Sequence, residues 1–276
     1  MRHLVALLPA LAATQSLAAA PAALSAQEAP TAVAGQAPAG GPASPTSPAP
    51  SGVSTTSGDP ASHGANPSIA PFSAHYLADW KSINVGTSDL ELKPDTEPGH
   101  YLYTWTITAR GIFRLYRSEV TQKSWLSVNA DHFRPDKYSA EDGSSSVNLD
   151  FDWNAGRARG TSEGKPVDLK LKEGTQDVMS IQVEVMLDLR KGDLPSTFQI
   201  IDKDQLKEFN YSNEGNARIR TALGELDTVV VSSRQTGNNR ILRMWFAPSL
   251  GFVPVQAERT RDGKLEFAMH IKSLDR

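Results

Sequence analysis

The chain contains no cysteine in 276 residues. That absence removes disulfides, thiolate metal sites, cysteine nucleophiles and an acylated lipoprotein N-terminus together, so the fold must be held by packing alone. An excess of basic charge is missing too. Arg2 is the only one of 28 Lys and Arg residues before Pro71, and Glu28 and Asp59 are the only two of 31 acidic ones, leaving 27 basic against 29 acidic side chains from Pro71 onward. A nucleic-acid-binding domain would show the opposite imbalance clustered on one face, so no nucleic-acid partner is expected. The short arginine runs Arg110/Arg114/Arg117 and Arg240/Arg243 read instead as solvated strand faces. No Walker loop, Rossmann fingerprint or G-x-S-x-G elbow occurs, and Ser144, Ser145 and Ser146 follow the turn signal Asp142-Gly143 as loop serines.

A long apolar run is also lacking. Leu4, Val5, Leu7, Leu8 and Leu11 follow the positive start at Arg2, but Pro9, Thr14, Gln15 and Ser16 break the stretch. It falls short of the roughly 20 apolar residues of a spanning helix, and small residues after it, as in Ser16-Leu17-Ala18, suit a signal peptidase. The pattern predicts a cleaved signal over 1–26, a periplasmic location, no lipid-modified cysteine and no transmembrane segment in the mature chain. From 27 to 70 the residues are Ala, Pro, Ser, Gly and Thr with almost no large aliphatics, a composition that cannot offset the entropy of ordering and predicts a disordered linker.

What is present begins near Pro71. Tyr101, Tyr103, Trp105 and Ile107 alternate with Leu102, Thr104, Thr106 and Thr108. Val147, Leu149, Phe151 and Trp153 repeat the period, as do Val167, Leu169 and Leu171, and Leu265, Phe267, Met269 and Ile271. Such alternation marks strands with one buried face. Pro98-Gly99, Asp142-Gly143, Glu163-Gly164, Gly237-Asn238-Asn239 and Asp262-Gly263 separate them as turns. The expected architecture for 71–276 is mainly β: a curled antiparallel meander, half barrel or barrel, of about a dozen strands, since a flat sheet of that width would accumulate twist.

One segment has helical spacing. Val178, Ile181, Val185 and Leu189, widened by Met179, Met186 and Leu187, predict a helix at about 175–191 packed inside the curl. Thr175 is placed to cap its start, Asp177 suits the positive end of the dipole, Gln176 and Asp177 can lock it to a neighbouring strand, and Lys191-Gly192 with Pro195 ends it.

The phrases Phe151-Asp152-Trp153, Gly174-Thr175-Gln176-Asp177-Val178-Met179-Ser180, Trp245-Phe246-Ala247-Pro248 and Phe252-Val253-Pro254-Val255 occur in that order along the chain, with Phe72 to Tyr76 before them and Asp262-Gly263 after. On these the chain, from about Pro71 to Leu274, resembles the bacterial exported domain-of-unknown-function 3108 family (DUF3108). The resemblance implies export to the envelope, an antiparallel β domain and no established activity, and it supplies no catalytic residues.

Chemistry is thin in the sequence. His75, His100, His132 and His270 show no tight ligand spacing, so neither a metal site nor a cofactor is expected. Asp150 and Asp152 share one face of a strand whose other face is apolar, which places them in solvent. An active site would need polar side chains converging in a pocket, such as His100 or His132 with an aspartate, and none is legible. The expected function is noncatalytic binding of a lipid, acyl chain or hydrophobic peptide segment against Val178, Met179 and Met186, with Trp245 at the rim of the mouth, by analogy with envelope lipoprotein carriers. A structural or interaction module that meets an envelope protein partner is the alternative.

Overall fold

The structure is a computed structural model that describes residues 69–115 and 119–276. The predicted signal and nearly all of the predicted linker lie outside the described residues. Fifteen strands and one α-helix follow in chain order: β1 (Phe72–Trp80), β2 (Ile83–Pro94), β3 (His100–Ala109), β4 (Glu119–Asn129), β5 (His132–Glu141), β6 (Ser146–Asp152), β7 (Arg157–Ser162), β8 (Lys165–Lys170), β9 (Gln176–Asp177), α1 (Ser180–Lys191), β10 (Thr197–Asp202), β11 (Gln205–Thr221), β12 (Gly224–Gln235), β13 (Arg240–Ala247), β14 (Val253–Arg261) and β15 (Lys264–Asp275). The alternation read from the sequence reappears as burial: Tyr103, Trp105 and Ile107 point inward on β3, and Val147, Leu149 and Phe151 on β6.

All strands join one sheet in the order β8 to β1, then β15 back to β9. Every pairing is antiparallel except the short parallel bridge of Gln176 and Asp177 to Ile200 and Ile201. The chain therefore winds outward from the centre to β8, crosses to the opposite edge, and winds back until β15 lies beside β1, with Ala78 opposite Met269. The crossing fixes the shape. Laid flat, fifteen strands would be roughly 65 Å wide at about 4.8 Å per neighbour. The link from Lys170 to Gln176 can reach only about 22 Å when fully extended. The sheet must curl until its two edges face each other across a seam, and it stays open there. Lys165, Pro166 and Lys170 on the edge strand β8 discourage pairing with another chain.

The helix begins later than the spacing predicts, at Ser180 rather than near 175, because Gln176 and Asp177 extend to pair with β10. Its end is as expected: Gly192 takes the left-handed conformation (φ 76°) and, with Asp193, returns backbone hydrogen bonds to Leu189 and Asp188. All residues from Ser180 to Leu189 are buried, and only Arg190 and Lys191 at its end are exposed, so α1 is enclosed over most of its length rather than amphipathic at a surface. Its polar residues must then find partners inside, and the Tyr103 hydroxyl donates to Gln182 Oε1 at 3.1 Å. The core around α1 is continuous and reaches back to Ile69, two residues before the predicted domain start. On β2, Gly86 lies so close to β3 that a Cβ would sit 2.2 Å from the Thr108 carbonyl oxygen. Among the described residues no helix is long and apolar enough to cross a membrane.

Candidate functional site

The polar phrase before the helix is built into the scaffold. Thr175 does not cap α1; its Oγ1 accepts from the Lys172 backbone N–H at 3.0 Å and closes the turn after β8. Asp177 performs the capping, with Oδ1 accepting from the N–H groups of Met179 at 2.7 Å and Ser180 at 2.8 Å. Its Oδ2 accepts from the Ser124 hydroxyl of β4 at 2.6 Å, and Gln176 Nε2 donates to the Phe133 carbonyl of β5 at 3.0 Å. Both residues thus tie the helix start to the opposite wall. Burial pushes the Asp177 carboxyl up to about 6, against the lowering effect of these donors.

The residues expected to bind a ligand do not form one cavity. Val178 borders a small space of about 30 Å³ shared with Ile181, Ile200, Phe209, Leu242 and Met244 and rimmed by Arg234 and Arg240, which has room for little more than a water. Met179 and Met186 are 1% and 0% exposed within the packed core, and neither borders that space or the seam. Trp245 lies on β13, half-buried against the core, and Pro248 opens the short 3₁₀ turn Pro248–Leu250 that ends the strand. Asp150 and Asp152 face solvent; Asp152 accepts from the Ala155 N–H at 2.8 Å to close a turn.

Space opens at the seam instead. A cleft of about 780 Å³ runs between the β4–β5 turn, the β8–β9 link, the outer edge of β10 and one side of α1. Phe133, Trp153, Leu171 and Phe198 give it apolar walls. Trp153 is fixed there by its Nε1, which donates to the Pro135 carbonyl at 2.8 Å, and by the Arg134 guanidinium 5.1 Å over its ring. Glu184 and Asp188, one helical turn apart on α1, supply the acidic floor.

His132 meets that floor. Its Nδ1 hydrogen-bonds to Glu184 Oε1, its Nε2 lies 3.2 Å from Asp131 Oδ1, and Glu184 Oε2 accepts from the Phe133 N–H at 2.7 Å. Asp188 is 2% exposed, and burial with the neighbouring Glu184 charge pushes its carboxyl up to about 7, while Lys191 and His132 act the other way. Asp188 Oδ2 and Gln176 Oε1, both on residues that line the cleft, are buried without a hydrogen-bond partner among the described residues. The other described histidines also stand beside acids: His75 hydrogen-bonds to Asp89 at 2.5 Å, His100 lies 3.7 Å from Asp136 and His270 lies 3.8 Å from Asp79. Only His132 joins two carboxylates from a buried helix among the described residues. Sequence spacing could not show this, since His132 and Glu184 are 52 residues apart, but the i, i+4 carboxylates inside an apolar helix were visible signs.

The family described as a protein of unknown function, DUF3108, matches residues 75–269. No curated protein matches the chain. A crystal structure described as that of an exported protein with a YmcC-like fold, from Bacteroides fragilis, is 7% identical over 74% of this chain and 95% of that one, with a TM-score of 0.30. Another, described as a lipoprotein from Parabacteroides distasonis, is 8% identical over 75% of this chain and 96% of that one, also at 0.30. The chain belongs to the DUF3108 family.

Proposed function

We propose that this member of the DUF3108 family is an exported, noncatalytic binding domain of the bacterial envelope, working in the periplasm, and that the apolar part of its ligand lies in the seam cleft. The ligand class is a lipid acyl chain or a hydrophobic peptide segment. The observation that carries this reading is the cleft itself: at about 780 Å³ it falls among small-ligand sites, which span roughly 300–1,000 Å³, and Phe133, Trp153, Leu171 and Phe198 offer it apolar walls. The side of α1 that packs on β10 to β14 is filled, so the ligand surface moves from Met179 and Met186 to the seam. The signal pattern near Arg2 supports export.

The test is to purify the full chain without detergent, extract it with organic solvent and identify the extract by mass spectrometry. Stoichiometric lipid in the wild type, reduced in Trp153→Ala and Phe198→Asp, supports the reading. Lipid-free protein favours the second reading, an interaction module of the envelope without a small-molecule ligand, for which the close packing around Met179 and Met186 speaks.

A further inference from the structure

Glu184 and Asp188 on α1 and His132 from the start of β5 each bring one ligand atom within 4.8 Å of the others. We propose that this triad holds a divalent transition-metal ion, with zinc the best fit, and that its open coordination position faces the seam cleft.

The donor set selects the ion. Imidazole nitrogen and carboxylate oxygen are both zinc ligands in a four-coordinate site with room for a fourth group, whereas calcium takes about six to eight oxygens and magnesium keeps several waters. The surroundings are those of a built site. Asp188 Oδ2 is buried, borders the cleft and has no hydrogen-bond partner among the described residues, which a plain His132–Glu184 ion pair leaves unexplained. Gln176 Oε1 is a second unpartnered buried acceptor on the same cleft. Both oxygens call for a cation or a donor.

The supporting shell is also in place. With Nδ1 on the metal, His132 Nε2 would face Asp131 Oδ1, which lies 3.2 Å away, the carboxylate–histidine pairing that orients metal-bound imidazoles. Glu184 is held by the Phe133 N–H at 2.7 Å. The neighbouring Lys191 bonds the Asp131 carbonyl and lies 3.4 Å from its carboxylate, so its ammonium is engaged beside the triad rather than within it. Binding exchanges the proton shared by His132 Nδ1 and Glu184 Oε1 for the metal, and that proton leaves to solvent. Zinc bonds of about 2.0–2.2 Å separate ligand atoms by roughly 3.3 Å, a spacing that small rotations of the half-exposed His132 ring and the Asp188 carboxylate reach.

This inference shares the cleft with the reading above but does not rest on its lipid. The tag-free full chain, stripped with a chelator and dialysed, is titrated with Zn²⁺ by calorimetry and with Co²⁺ by visible absorption. The expected result is one ion per chain, tetrahedral Co²⁺ bands, and affinity lost by on the order of 100-fold in His132→Ala and Asp188→Asn, both folded by circular dichroism. His100→Ala retains wild-type binding. No saturable uptake by the wild type, or uptake unchanged in His132→Ala, overturns the site. Lipid-free protein that binds zinc removes only the lipid reading, and lipid-loaded protein indifferent to zinc removes only the metal.

Discussion

The enclosed helix α1 faces two unlike regions. Toward β10 to β14 the space around Val178 and Ile181 has shrunk to about 30 Å³, while toward β5 and the β8–β9 link a cleft of about 780 Å³ stands open beside Glu184 and Asp188. Both regions hold buried side chains of one short helix. The first has spent its apolar surface on the fold, as close-packed interiors do, and keeps no room for a guest. The second keeps carboxylates out of water, which is costly without a partner, so it is where function has a reason to be. Apolar character alone is thus a poor guide to a binding surface inside a curled sheet.

The contrast can be broken by mutation. Met186 is fully buried in the core and borders neither space, so Met186→Ala should lower stability by about 3–4 kcal/mol in urea unfolding. A much smaller loss would mean that the packing there is loose.

Asp177 offers a pH test of the helix anchor. Its carboxyl is held at about 6 by burial, so between its ordinary value and about 6 the folded protein keeps a proton that the unfolded chain has released. Stability from this group is therefore full below about pH 4, falls as pH rises to about 6 and is constant above, a loss of roughly 3 kcal/mol. Asp177→Asn should remove that slope, read from unfolding at acid and neutral pH. Equal slopes in variant and wild type would refute the burial of a charge at this position.

Two smaller effects sharpen the boundary. Gly86→Ala must push β2 from the Thr108 carbonyl and should cost about 2 kcal/mol, measured as a lower urea midpoint. His132→Ala, on the open side, removes the partner of a Glu184 carboxylate whose side chain is only 4% exposed and should cost metal-free protein about 1–2 kcal/mol, since water at the open edge replaces only part of that pairing. A large loss would mark His132 as part of the filled region instead.

The sequence reveals these regions unequally. Local hairpins are legible because alternation and turn residues act over a few positions, and Tyr103, Leu149 and Met269 point inward as their period requires. The central pairing of β1 with β15 is not, because no local signal joins Ala78 to Met269. The helix start is misread by residue type: Thr175 and Asp177 both suit a cap, and the bridge to β10 decides for Asp177. Val178, Met179 and Met186 carry the composition of a greasy ligand surface, and only packing tells that from core. His132 joins Glu184 through tertiary structure alone.

The meeting of β1 and β15 bears on biosynthesis. A nascent chain can zip β1 through β8 as successive hairpins, yet one flank of β1 stays bare until the last strand of the sheet emerges. Until then the half-made sheet carries a sticky ribbon able to recruit a neighbour. The final hairpin thus acts as a zip-fastener's last tooth, and shortening it strands a nearly finished molecule in an aggregation-prone state.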